Sequence, residues 1–155
     1  MEKAYKFRIY PDVEQIIQIH KTFGCCRYVY NQFLSKRIEA YKSNGETLNY
    51  NDCSAELTQM KKEIAWLREP DSTALQSSLK DLDTAYQNFF RRVKKGEKAG
   101  YPKYKRKSDN EKSYESKVVG KNIEVLEKQV KLPKLGLVGA AISKQVRGRI
   151  LHATY

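Results

Sequence analysis

At 155 residues the chain is long enough for one ordinary domain or two small lobes, which bury roughly two thirds of their unfolded surface without disulfide or metal staples. Thirty Lys and Arg against 18 Asp and Glu leave a formal net charge of +12 and a pI near 9.6, a balance that points to nucleic acid or an anionic membrane surface. Membrane is set aside, because no apolar stretch approaches the roughly 20 residues that span a bilayer, and charge from Glu2 onward excludes the apolar core of a secretory signal.

Cys25, Cys26 and Cys53 are odd in number and two are adjacent, which suits neither a disulfide framework nor CxxC metal spacing and implies a reducing cytosol. His20 and His152, the only histidines, offer little to a zinc or histidine-dependent site. The carboxylates are scattered, Asp81 and Asp83 fall on the polar side of a helix, and the phosphate-cradling GxxxxGK[ST] order is absent. The chain therefore carries no catalytic site, metal site or cofactor site of its own.

From Ala4 to Tyr10, Tyr5, Phe7 and Ile9 alternate with Lys6 and Arg8, the period of a half-buried strand that Pro11 ends. Asp12 stands three residues before Gln15, a capping arrangement, and Val13, Ile16, Ile17 and His20 form the stripe of a short amphipathic helix reaching Gly24. A second helix from Cys26 carries Val29, Tyr30, Phe33, Leu34, Ile38 and Tyr41 and ends at Asn44-Gly45. Asn31 on it stands at the surface or makes a specific hydrogen bond. A third helix buries Cys53, Leu57, Met60, Ile64 and Leu67 before Pro70. The fourth and longest, capped by Asp71 or Ser72, has a seam of Leu75, Leu79, Leu82, Tyr86, Phe89 and Val93. Off that seam lies Gln76, whose amide offers the donor and acceptor that match adenine in the major groove.

Beyond Gly100 the helical period gives way to short β-branched runs: 117–119, 123–126, 130–132, 137–138, 142–146 and 150–154, with a hairpin tip at Glu127-Lys128. The first strand has no neighbour among the helices, so it pairs with these late strands, and the helices become an insertion within an antiparallel sheet or barrel. A sheet that stops in mid-strand at Tyr155 leaves an open edge, as expected of a piece of a longer protein. At the junction, residues 89–107 read FFRRVKKGEKAGYPKYKRK, where cations neutralise phosphates and Tyr101 and Tyr104 are placed to stack on bases at about 1–3 kcal/mol each.

KAYKFRIYP at 3–11, Glu14-Gln15, Phe23-Gly24, RYVYN at 27–31, Trp66-Leu67, Ala74-Leu75-Gln76 with Leu79, NFFR at 88–91, GYPKYK at 100–105 and LPKLG at 132–136 occur in one order. This series resembles the N-terminal half of the TnpB family, transposon-encoded RNA-guided DNA nucleases related to compact type V CRISPR effectors, and it covers the chain from about Lys3 to Thr154.

The resemblance implies an α+β fold: an incomplete antiparallel β-barrel of oligonucleotide-binding type, the wedge (1–11 and 96–155), with a four-helix recognition lobe (12–95) inserted after the first strand. It implies guide RNA, double-stranded and single-stranded DNA, and the remainder of the nuclease polypeptide as partners, in the nucleoid-associated cytoplasm of a bacterium or archaeon. The RuvC nuclease with its divalent metal, and a zinc-binding insert, belong to the family's other half. By match of context, Tyr50, Ser54, Ser72, Gln76, Val119 and Gly120 face a short target-flanking DNA motif. Backbone contacts fall to Lys6, Arg8, Arg91, Arg92, Lys94, Lys95, Lys98, Tyr101, Lys103, Tyr104, Lys105, Arg106 and Lys107. The competing readings are a nuclease-free DNA-binding regulator on the same scaffold, and a helix-turn-helix protein built on the first two helices around Gly24.

Overall fold

The computed structural model describes residues 2–98, 100–109 and 112–155. Strand β1 (Arg8–Tyr10) leads into three helices, α1 (Val13–Asn44), α2 (Tyr50–Glu63) and α3 (Ser72–Lys94), with a 3-10 turn over Ala65–Arg68 between the last two. The strands β2 (Glu115–Lys117), β3 (Glu124–Val125), β4 (Gln129–Leu132), β5 (Gly136–Ala141) and β6 (His152–Thr154) follow. They form a four-stranded antiparallel sheet in the order β1-β5-β4-β3 and a two-stranded sheet, β2-β6.

The first strand does pair with the late ones: Ile9 stands opposite Ala140 on β5, so the helices are inserted within the sheet. The α+β class holds, but among the described residues the strands close no barrel and the helices number three, not four. The two helices expected on either side of Gly24 are one. Gly in a helix interior is less favourable than Ala by about 1 kcal/mol; here Thr22, Cys25, Cys26, Val29, Tyr30, Phe33 and Leu34 lie buried along the same helix, and that burial outweighs the break. The run 142–146 forms no strand, because the β1 ladder ends where Arg8 meets Ala141 and leaves the chain beyond without a partner. The run expected at 117–119 shifts to Glu115–Lys117, since Asn122 bonds the Lys117 carbonyl and the Val119 amide and turns the chain.

Caps follow the sequence closely. Asp12 and Gln15 form a reciprocal capping box on α1, Asn49 and Asp52 do the same on α2, and Asp71 accepts from the Thr73 amide on α3. Gly45, at φ 67°, closes α1 in the left-handed conformation that a Cβ disfavours. The Gln15 side chain also donates to the Leu135 and Leu137 carbonyls at 3.1 and 2.8 Å. Those bonds set the rotational phase of α1, turning Gln15 inward and leaving Val13, Ile16 and Ile17 exposed at 73, 41 and 50%, the reverse of the amphipathic stripe expected there.

One core joins α1, α2, the 3-10 turn and α3 around Phe33, Leu34, Leu57, Leu67, Leu75, Leu79 and Leu82, and takes in Tyr114. A second lies under the larger sheet around Ile123, Val130, Leu132 and Val138. Ile19 and Tyr155 pack against both. Tyr155 stacks on Tyr114 at 4.1 Å between ring centroids, and its amide bonds the Tyr114 carbonyl, so the last residue is part of the packing. On α3 the buried seam stops at Tyr86, leaving Val93 54% exposed.

Burial pushes the Cys26 thiol up to about 12, Cys53 up to about 11 and the Tyr155 hydroxyl up to about 12. An acid whose folded pKa is raised holds its proton longer than in the unfolded chain, which then gains by ionising first, so stability falls as pH rises. The unfolding midpoint should therefore be flat near neutrality and drop between about pH 9 and 12. A denaturant melt series across that range checks this, and an unchanged midpoint would mean that these groups are hydrated.

Candidate nucleic-acid interface

Three of the predicted motif-facing residues meet directly. The Tyr50 hydroxyl and the Ser54 hydroxyl, one turn apart on α2, both donate to the Gln76 amide oxygen on α3, each at 3.0 Å. Lys80, one turn further along α3, places its ammonium 4.8 Å from the Tyr50 ring centroid. With its oxygen taken twice, Gln76 retains an NH2 as its free group and offers donors. The bidentate adenine pattern needs the amide oxygen as acceptor, so this arrangement suits an acceptor edge, thymine O4 or guanine O6 and N7.

Ser72 is exposed in the first turn of the same helix. Its neighbour Thr73 accepts the Lys117 amide proton at its hydroxyl, 2.9 Å, which ties the end of β2 to the start of α3. Val119 and Gly120 stand in the turn just beyond, Val119 65% exposed and Gly120 at φ 64°. Tyr50, Ser54 and Gln76 are thus bonded together, while Ser72 and the 119–120 turn are attached to the same helix end through Thr73 and Lys117.

The basic segment is anchored by a contact far apart in sequence. The Asn31 side chain both donates to the Lys105 carbonyl and accepts the Lys105 amide, each at 2.8 Å, as a neighbouring strand would. Around this clasp the Lys105 ammonium sits 4.3 Å from the Tyr30 ring centroid, the Tyr104 hydroxyl bonds Ser35 at 2.9 Å, and Tyr101 packs on Phe89 at 4.5 Å between centroids. Tyr101 and Tyr104 remain 49 and 50% exposed; each spends part of its surface holding the segment to the helices. Arg91, Arg92, Lys94, Lys95, Lys98, Lys103, Lys105, Arg106 and Lys107 are all exposed, and among the described residues none pairs with a carboxylate. Lys6 and Arg8 are exposed at the start of the larger sheet, on the face opposite Tyr5, Phe7 and Ile9. Asn31→Ala should release this segment without unfolding the core. Hydrogen exchange at the Lys105 amide is expected to rise to the rate of an open loop while α1 and α3 amides stay protected; continued protection of Lys105 would show that the clasp is dispensable.

Sequence reasoning missed two charged partners. Asp83, expected on a polar face, is 8% exposed and pairs with Arg37, itself 6% exposed, at 3.4 Å. Period alone could have placed Arg37 inside, since it lies four residues past Phe33 and three past Leu34. Among the described residues no three His, Cys, Asp or Glu side chains are grouped to hold a metal ion, and no helix is long and apolar enough to cross a membrane.

A family model described as a helix-turn-helix domain, that of the IS605 OrfB group, matches residues 1–46. In this chain the matched span is β1 and the unbroken α1. The chain is 39% identical over 117 residues (74% of this chain) to a protein of Streptomyces pristinaespiralis named "Putative RNA-guided DNA endonuclease". It is 30% identical over 154 residues (98% of this chain) to the Escherichia coli K12 protein named "Putative RNA-guided DNA endonuclease InsQ". It is 36% identical over 116 residues (69% of this chain, 95% of the relative) to the virulence protein VsdF of Salmonella dublin. The chain belongs to the TnpB family.

This TnpB-family chain spans 28% of the length of the Streptomyces relative and 37% of InsQ. Nearly all of it aligns with InsQ, so the β strands after the basic segment belong to the shared region as much as the helices do.

Proposed function

We propose that this chain is the nucleic-acid-binding part of a transposon-associated RNA-guided DNA endonuclease. In this reading it grips a guide RNA scaffold and the short DNA motif that flanks the target. The observation that carries it is the stretch from Arg91 to Lys107: cations without carboxylate partners among the described residues, pinned across α1 by the Asn31 clasp. Exposed unpaired cations on a fixed track neutralise phosphates and release counterions without first breaking internal ion pairs. Two of the relatives carry RNA-guided endonuclease names, which supports the choice of polymer.

Division of labour follows from chemistry. The 1–11 and 96–155 portion acts as the wedge, its two antiparallel sheets forming part of an oligonucleotide-binding surface, and the 12–95 helices act as the recognition lobe. Gln76, held by Tyr50 and Ser54, reads the flanking motif together with Ser72, Val119 and Gly120, while the basic segment with Lys6 and Arg8 contacts phosphates. Divalent metal and zinc, in this reading, belong to other parts of the intact nuclease.

Gln76→Ala should reduce discrimination between the preferred motif and its single-base variants by about 1–3 kcal/mol, whereas Lys103→Ala weakens all sequences alike. Competition binding with a duplex library reads both. Equal losses across the library for Gln76→Ala would remove it from base readout. Sequencing the nucleic acid that co-purifies with the protein, with a ribonuclease-treated portion beside it, tests the guide: a defined structured transcript that ribonuclease destroys is expected, and its absence would leave a duplex-only binder. That outcome is the second reading, a nuclease-free regulator. The Salmonella relative, 95% of whose length this chain covers, is a related protein of comparable size.

A further inference from the structure

A cleft of about 360 Å³ opens between the C-terminal turns of α1 and α3 and the start of the basic segment. Its walls are aromatic: Tyr41 from α1, Phe89 and Phe90 from α3, and Tyr101. Three of these rings are half open to solvent, Tyr41 at 59%, Phe90 at 43% and Tyr101 at 49%. The floor holds Tyr86, 5% exposed, whose buried hydroxyl has no hydrogen-bond partner among the described residues. That hydroxyl is closed to solvent, so Tyr86 offers the cleft its ring and not its oxygen.

From this juxtaposition we infer that the cleft is a binding site for one unstacked base of a single-stranded nucleic acid. The base lies among Tyr41, Phe90 and Tyr101, over the Tyr86 ring, and the flanking phosphates run over the last turn of α3. Charge decides the occupant. Arg91, Arg92, Lys94 and Lys95 crowd that turn, all exposed and without carboxylate partners among the described residues, so an aromatic slot beside an anion track fits a base with its phosphate. A paired duplex keeps its bases stacked and cannot fill the slot, which therefore selects single strands or extruded nucleotides. Glu46 on the rim can accept from an exocyclic amine. The inference rests on the nucleic-acid-binding reading and adds a specific subsite to it.

The test uses the full chain and a short mixed-sequence single-stranded RNA, with its DNA counterpart, carrying 2-aminopurine or an abasic residue at one position at a time. At one or two positions the 2-aminopurine fluorescence is expected to be quenched on binding, and an abasic residue there should weaken binding by about 5- to 150-fold. Phe90→Ala should lose the quench, and in that variant the abasic strand should bind as well as the intact one. Arg92→Gln should flatten the salt dependence and leave the abasic penalty in place. If strands bind but the abasic penalty is the same in wild type and Phe90→Ala at every position, the subsite is overturned while the broader reading stands. If Phe90→Ala binds no strand at all, Tyr41→Ala and Tyr101→Ala are read for the same coupling, and an unchanged abasic penalty in both likewise overturns it. If neither polymer binds the wild-type chain at low salt, both readings fail.

Discussion

Replacing Arg37 with Ala is expected to lower the unfolding free energy by about 3–5 kcal/mol, a large share of what a domain of this size commands. Arg37 is four-fifths of the way along α1 and enclosed by α2 and α3; its Nη1 lies 3.4 Å from Asp83 Oδ1. Its guanidinium carbon stands 4.1 Å from the Tyr86 ring centroid. The other Asp83 oxygen accepts from Gln87 Nε2 at 2.9 Å. Removing the guanidinium leaves a carboxylate 88% shielded from water with a single neutral donor. That unpaired charge, more than the lost attraction, is the source of the large effect. The converse holds as well. Replacing both Arg37 and Asp83 by leucine removes the penalty along with the pair, and should return most of the loss in a denaturant titration. A single Arg37→Ala variant that melts like the parent would mean that water already reaches the pair.

The largest effect on function is expected from salt. If six to ten phosphates are engaged, affinity for single-stranded RNA or duplex DNA should fall by roughly three to five decades between 50 and 200 mM monovalent salt. Converting Arg91, Arg92, Lys94 and Lys95 to Gln removes four exposed cations from one helix end without touching a buried side chain. The slope of log affinity against log salt should then become shallower by about four, roughly one per cation. Fluorescence anisotropy across a salt series measures both. A slope near zero in the parent chain would dispose of the electrostatic grip altogether, and an unchanged slope in the quadruple variant would move the phosphates elsewhere. Because these residues are solvated, their loss should barely move the melting point, which separates this effect from that of Arg37.

Much of the scaffold could be read from local pattern. The capping pair Asp12 with Gln15, the Asp71 cap of α3, the Gly45 stop, the leucine seam of α3 and the hairpin tip at Glu127-Lys128 are all decided within a few residues, by hydrogen bonds and side-chain period. The merger of two expected helices through Gly24, the outward turn of Val13, Ile16 and Ile17, and the missing strand at 142–146 were not legible. Each is set by a partner distant in the chain: α3 behind the Gly24 region, the Leu135 and Leu137 carbonyls in front of Gln15, and the limit of the β1 ladder.

The candidate site divides in the same way. Which residues are cationic, aromatic or amide-bearing is written in the chain, and so is the family to which their order belongs. Their use was decided by folding. Tyr50 and Ser54 take the oxygen of Gln76 and leave it a donor, Asn31 reaches Lys105 across 74 positions, and Asp83 is drawn inside by Arg37. A hydrogen bond depends on direction and separation at the scale of an ångström, and one-dimensional spacing cannot supply these for residues on different elements. Composition and period therefore determined that this chain is a cationic mixed helix-and-sheet scaffold, and only the packing of the three helices on one another and on the basic segment determined which of its polar groups remain free for a partner.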